Sequence, residues 1–324
     1  MVVIVPLSVL DLVPIASDGD AVTALHNTLD LARHAERLGC RRYWIAEHHN
    51  IPGVASAATA VLVGQVASAT ARIRVGSGGI MLPNHAPLIV AEQFGTLDAL
   101  HPERIDLGVG RAPGTDQRTA LAVRGARTAE DFPAQLSELL GYFEPDETRA
   151  VNAVPAIGRK PQVWLLGSSG FSARLAGRLG LPFVFAHHLS ARNTLPAVQT
   201  YRESFEPSEA LGEPLLMLSV AAICAETEEQ ADWLAGPVKL RYLSRRHGNP
   251  IRLPSPEAAA AYAYTEEDRR LIDGRFGSAA IGSPETVRKR LDTLVTDTGA
   301  AEVMVTTMVH GHADRVRSYE LLAG

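Results

Sequence analysis

A chain of 324 residues, 46% of them hydrophobic and 21% charged, carries enough apolar matter for a sizeable core and lacks the composition of a disordered segment. Its formal net charge of −5, with no cluster of Lys and Arg, argues against a nucleic-acid partner. The two cysteines, Cys40 and Cys224, show no Cys-x-x-Cys spacing, which speaks against a disulfide scaffold and fits the reducing cytoplasm.

Strand-like and helix-like patterns alternate along the chain. Val2–Ser8 is apolar and reads as a core strand, because no basic stretch precedes it and Asp11 breaks the apolar run. Ala21–Leu38 has helical spacing and stops at Gly39. Next come strand Arg42–Ala46, helix Ala55–Ala69, strand Ile73–Met81, helix Leu88–Leu100 and strand Arg104–Val109. After a long connection, 113–161, with one helix at Ala129–Leu140, come strand Gln162–Leu166 and helix Phe171–Leu179, which ends at Gly180. Strand Phe183–His187, helix Leu195–Phe205 and strand Leu215–Ala225 continue the series. A second long segment, 236–283, leads to helix Glu285–Val295 and strand Glu302–Thr307. Glu228-Glu229 and Glu266-Glu267 read as solvated helix starts, and Ala258–Ala261 as a short helical patch.

Eight βα units with continuous apolar strands predict an α/β fold, a (β/α)8 TIM barrel with insertions, in preference to an open sheet. The expected organisation is one domain over 1–324, with excursions at about 113–161 and 236–283 that are long enough to act as lids. No run of about 18 apolar residues predicts a membrane span.

Chemistry in such a barrel sits at the carboxyl ends of the strands. Those ends carry Glu47-His48-His49, Gly78-Gly79, Gly110-Arg111, Gly167-Ser168-Ser169-Gly170, His187-His188 and the segment from Thr306 to His312. Glycines there let a flat or anionic ligand approach the backbone. Arg111 offers a planar donor fork for phosphate. Gly167 through Ser172 joins a strand to a helix, so amides, hydroxyls and the helix dipole together favour an anion. Ser and Gly also cap helices without any ligand, and that bland reading competes for the serines. Gly78-Gly79 reads either as a bulge or as a special backbone segment, a cis bond among the options. Side chains alternate along a strand, so one of His48 and His49 faces the barrel mouth and the other turns away. A neutral imidazole there suits proton transfer or hydrogen bonding. The rival use of the histidines is a metal site, but His310-Gly311-His312 follows the last strand, whereas metal-dependent hydrolase barrels use His-x-His after the first. No metal is therefore expected. His26, His34, His101 and His247 read as core or surface residues. No complete Gly-x-Gly-x-x-Gly fingerprint follows the first strand, and Gly108-Val109-Gly110 lacks its third glycine, so no dinucleotide site is evident.

Four motifs, in order and spacing, resemble the bacterial-luciferase-like flavin monooxygenase family. They are Trp44 to His49, Gly76 to Pro87, Arg104 to Gly114, and Leu166 to Gly170 followed by Gly180-Leu181-Pro182. The resemblance covers roughly the first 190 residues and returns at 283–307. It implies a TIM-like barrel, a homodimer, and FMN delivered reduced by a separate NAD(P)H:flavin reductase. It implies O2 and a small organic molecule as co-substrates, while charge and hydropathy leave no nucleic acid and no membrane as expected partner. By the same resemblance the phosphate falls near Arg111, Ser168, Ser169 and Ser172, within the loop Gly167, Gly170 and Phe171. The isoalloxazine falls over Gly78-Gly79, where the family often has a cis peptide, with Ser77 beside it as a further cofactor-binding candidate. His48 matches the family's active-site histidine, and His188 is a second candidate facing the same space. Two departures stand out. Gly110 replaces the reactive cysteine of luciferase, and Ser168 replaces its glutamate. Both point away from light emission and toward stand-alone members, some of which serve antibiotic and polyketide pathways. Two alternatives remain open at this point: a deazaflavin (F420)-dependent hydride-transfer enzyme on the same barrel, and a flavin-binding protein without catalysis.

Overall fold

A computed structural model describes residues 5–112, 114–124 and 131–324. Eight parallel strands close into a barrel. They are β1 (Leu7–Asp11), β2 (Arg42–Ile45), β3 (Arg74–Met81), β4 (Ile105–Gly110), β5 (Gln162–Gly167), β6 (Phe183–Phe185), β7 (Leu216–Cys224) and, after the short β8 (Ala280–Gly282), β9 (Glu302–Thr306). Each pairs with the next in parallel, with one register shift between Ser77 and Ile80 where β3 meets β4; β6 pairs with β7, β7 with β9, and β9 with β1, which closes the ring. The expected TIM barrel is therefore the observed one.

The intervening helices are α1 (Ala21–Arg37), α2 (Thr59–Ala69), α3 (Pro87–Leu100), α4 (Gln117–Arg124), α5 (Phe132–Gly141), α6 (Gly170–Arg178), α7 (His187–Ser190), α8 (Thr194–Glu203), α9 (Glu228–Arg246), α10 (Pro256–Ala260), α11 (Glu266–Phe276), α12 (Pro284–Thr298) and α13 (His312–Ala323). Their ends obey local chemistry. Gly39 and Gly180 sit at positive φ just past α1 and α6, where a side chain would be strained. Thr227, Thr265 and Ser283 cap α9, α11 and α12 through their hydroxyls.

Several boundaries differ from those read in the sequence. The strand expected at Val2–Ser8 is visible from Leu7 and runs to Asp11, and residues 1–4 lie outside the described residues. The helix expected at Ala129–Leu140 starts at Phe132 as α5, with 129–130 outside the described residues. The segment 236–283 is not a loop: α9 continues to Arg246, and α10, α11 and β8 fill the rest. Strand β8 pairs only with the last residues of β7, Ala222 to Cys224, so it lies outside the ring. Its three residues between two helices are too short to show strand periodicity.

Packing closes one end of the barrel and leaves the other open. A large apolar layer fills the space between strands and helices. Inside the ring, Leu10, Trp44, Trp164, Val184, Met217 and Met304 form a plug, with the two indoles edge to face at 5.7 Å. Below the plug, at the amino ends of the strands, Arg42 Nη1 donates to Asp106 Oδ2 at 2.7 Å and Arg42 Nε to Glu302 Oε1 at 3.0 Å. Asp106 also accepts from Trp44 Nε1 at 2.8 Å and Arg74 Nη2 at 2.6 Å. These buried charges satisfy one another, as burial requires. Among the described residues no helix is long and apolar enough to cross a membrane.

Candidate active site

The carboxyl ends of all eight ring strands surround a chamber of about 660 Å³. That size suits a cofactor or drug-sized ligand, for which about 300–1,000 Å³ is typical. Its floor is the upper side of the plug, at Leu10, Val184 and Met304. Of the residues singled out in the sequence, His48, Gly78, Gly79, Arg111, Gly167, Ser168, Ser169, Ser172 and His188 all line it. Ser77, Gly170 and Phe171 do not. Ser77 is buried in β3 and donates its hydroxyl to the Gly108 carbonyl at 2.8 Å. Gly170 opens α6, and Phe171 is 45% exposed on its first turn.

One end of the chamber gathers hydrogen-bond donors and positive charge. Gly167 ends β5, and a Cβ there would overlap Ser172 Cβ, so only glycine lets α6 start this close to the strand. Ser169 occupies the cap position of α6, yet its side chain makes no capping bond. The hydroxyls of Ser168, Ser169 and Ser172 have no protein partner among the described residues, and they share the wall with the α6 amides. Arg111, just past the end of β4, stacks its guanidinium carbon 4.4 Å over the Phe171 ring. Free hydroxyls, first-turn amides, the positive end of a helix and a stacked arginine are the donor set a phosphate monoester requires.

Beside this end lies a flat glycine segment. The Gly78-Gly79 peptide is cis. A Cβ on Gly78 would overlap Leu10 Cδ1, and one on Gly79 would fall 2.7 Å from the Gly108 carbonyl oxygen. The strand edge therefore presents bare backbone to the chamber.

Two histidines face the same space in fixed tautomers. His48 Nδ1 lies 2.9 Å from the Gly114 carbonyl, and His188 Nδ1 lies 3.0 Å from the Ser219 carbonyl. A carbonyl only accepts, so each Nδ1 carries the proton and each Nε2 is left as an acceptor. Burial lowers both pKa values, that of His188 to about 4, and nearby arginines push the same way. Both imidazoles are neutral at pH 7. His49 turns away, as alternation along β2 predicts, and binds Glu47 at 2.9 Å. Burial opposes the charge on Glu47, but bonds from His49, His85 and the Met81 amide outweigh it and hold the carboxyl near pKa 2. That cluster braces the wall behind the chamber.

The sequence reading missed the opposite wall. Val238, Arg241, Tyr242 and Arg245 recur at helical spacing along α9 and turn one face to the chamber, while Arg275 and Phe276 come from α11. The i, i+3, i+4, i+7 pattern was the available signal, hidden because the segment was read as a connection. Ser219 Oγ and Thr306 Oγ1 are buried there without a hydrogen-bond partner among the described residues.

Comparison with known proteins agrees with this architecture. The family model for luciferase-like monooxygenases matches residues 5–302, and the chain belongs to that family. It is 51% identical over 320 residues to YvbT of Bacillus subtilis (98% of this chain, 95% of that one). It is 42% identical over 320 residues to a luciferase-like monooxygenase of Escherichia coli K12, covering 98% and 96%. The solved structure of apo-MsnO8 superposes with a TM-score of 0.90 at 36% identity, covering 99% of this chain and 98% of that one. Two more distant structures share the fold alone. They are the oxygenating constituent of 3,6-diketocamphane monooxygenase in complex with FMN (TM-score 0.70, 20% identity) and an F420-dependent secondary alcohol dehydrogenase (TM-score 0.73, 13% identity).

Proposed function

We propose that the protein is an FMN-dependent monooxygenase that uses reduced flavin and O2 to oxygenate a small organic substrate. Reduced FMN, when bound, supplies the two electrons with which dioxygen gives one oxygen atom to the substrate and the other to water. The observation that carries this reading is the convergence of Arg111, Ser168, Ser169 and Ser172 with the bare Gly78-Gly79 segment around one chamber. Arg111 and the three serines hold the phosphate, and the α6 amides complete its shell. The glycine pair carries the ring system. His48, neutral and oriented by Gly114, accepts a hydrogen bond or moves a proton through Nε2. His188 is the second candidate for that work, oriented by Ser219. The apolar plug and the half-buried walls at Ile51 and Val54 exclude water from the reacting atoms. A separate NAD(P)H:flavin reductase is the expected source of the reduced flavin, and the site is read as belonging to a single-domain subunit of a cytoplasmic homodimer. The family resemblance directs the search for the substrate to secondary metabolism, polyketides included.

Titration of flavin-free protein with FMN, reduced FMN and the deazaflavin F420 tests the reading. Tighter binding of reduced FMN than of F420, with oxygen consumption when substrate is present, supports it. Preference for F420 with hydride transfer and no oxygen uptake replaces it with the deazaflavin reading. Flavin binding without turnover of any substrate would leave a binding protein.

A further inference from the structure

The chamber lining holds four arginines, Arg111, Arg241, Arg245 and Arg275, and among the described residues it holds no Asp, Glu or Lys. Arg111 belongs to the serine loop. Arg241 and Arg245 stand one turn apart on α9, near His48, whereas Arg275 comes from α11 beside His188. The guanidinium groups of Arg241 and Arg245 make no hydrogen bond or ion pair among the described residues, although Arg241 is half-buried. Arg275 spends one nitrogen on the His188 carbonyl and has no carboxylate partner among the described residues. Glu47, the carboxylate nearest in sequence to His48, is committed to His49 and His85.

Like charges gathered without a counter-charge cost free energy, and partial burial raises that cost. Burial and the neighbouring Arg245 bring the Arg241 pKa down to about 10, which records that cost. Arg241 is nonetheless packed closely on one side. Gly53 faces it so closely that a Cβ there would lie 3.0 Å from Arg241 Nε. The segment after α9 is also tied down: Leu253 donates to the Ile15 carbonyl at 3.1 Å and accepts from the Ser17 amide at 2.8 Å. Two unpaired guanidinium groups one turn apart, the half-buried Arg241 and the exposed Arg245, at a chamber lined by no carboxylate are a site for an anion.

We propose that Arg241 and Arg245 bind the carboxylate of an otherwise apolar organic acid, which lies against Ile223, Val238, Phe276 and Ile281 with its reacting carbon toward His48 and His188. This names the substrate class for the flavin reading above and rests on it for the oxidation, though not for the binding. The wall is separate from the serine loop, so the chamber has two anion sites: one for the cofactor phosphate and one for the substrate.

Calorimetric titration of FMN-loaded protein with octanoate and with octanamide tests the assignment. The two probes share their chain and differ in charge. Octanoate is expected to bind at least about tenfold more tightly. The double variant Arg241→Gln with Arg245→Gln is expected to erase that preference while leaving octanamide binding and the Kd for FMN unchanged. The Lys pair at the same positions keeps the charge, so it retains most of the preference and serves as a control for folding. Equal binding of the two probes, binding of neither, or a preference that survives in the Gln pair overturns the proposal. So does a loss of FMN affinity in the Gln pair, which would assign the arginines to the cofactor. The same titrations on flavin-free protein separate the two readings: failure to bind FMN with an intact carboxylate preference sinks the flavin reading alone.

Discussion

The guanidinium of Arg111 lies 4.4 Å over the ring of Phe171, although one residue sits just past the end of β4 and the other in the first turn of α6. The stack fixes an arginine at the mouth of the serine loop before any ligand arrives. Preorganisation of this kind lowers the entropic cost of binding an anion.

Replacing Arg111 with Ala is therefore expected to weaken FMN binding strongly while leaving the fold intact, because Arg111 is half-buried at the rim. A hydrogen bond to a charged group contributes about 1.5–3 kcal/mol, which is about tenfold to 150-fold in Kd. Arg111→Lys retains charge but loses the planar fork and the stack, so its Kd falls between the two. Quenching of FMN fluorescence measures all three. An unchanged Kd in Arg111→Ala would remove the phosphate from this end of the chamber.

The histidines predict a pH dependence with a definite sign. The unfolded imidazole titrates at about 6.5, and native His188 at about 4, chiefly through burial. Below the unfolded value the unfolded chain gains a proton that the native chain refuses, so stability declines as pH falls through that window and is unaffected above it. His48 shifts in the same direction. Thermal melts between neutral pH and pH 4 are expected to show a falling Tm, and His188→Asn should flatten the slope. A slope indifferent to that substitution would mean that His188 titrates as an ordinary surface histidine.

What the sequence disclosed depended on how local each signal was. The alternation of apolar strands and helices determined the barrel, because burial on both faces leaves a continuous hydrophobic run. Glycine and serine at strand ends pointed to the chamber, since backbone approach and helix starts are written in adjacent residues. The arginine wall was not legible. Arg241 and Arg275 are ordinary in sequence, and only the tertiary placement of α9 and α11 over the mouth makes them neighbours of His48 and His188. Ser77 and Phe171 stand apart from the neighbours they were grouped with. Adjacency to a motif suggested a place in the lining, while strand alternation buried one and helix phase exposed the other.

Gly167 couples packing to the site. A methyl group at this position would overlap Ser172 Cβ, which the backbone fixes, and lie 2.5 Å from its Oγ. Gly167→Ala must move the first turn of α6. Loss of FMN affinity comparable to that of Arg111→Ala is expected, together with a lowered Tm. Retention of full affinity would show that the serine loop is not the phosphate site.

The floor of the barrel should govern stability without touching the ligand. Asp106 is fully buried and accepts from Arg42, Arg74 and Trp44. Asp106→Asn removes the charge that two guanidinium groups share, and Glu302, bonded to Arg42, cannot reach both. Breaking a buried pair on one side costs about 3–5 kcal/mol. The network sits beneath the plug of Trp44 and Trp164, on the far side from the chamber. Urea denaturation of Asp106→Asn is expected to give a lower midpoint at an unchanged slope, with the Kd for FMN of the folded protein as in the parent. A weakened Kd at unchanged stability would invert that assignment and place the amino-terminal network in communication with the site.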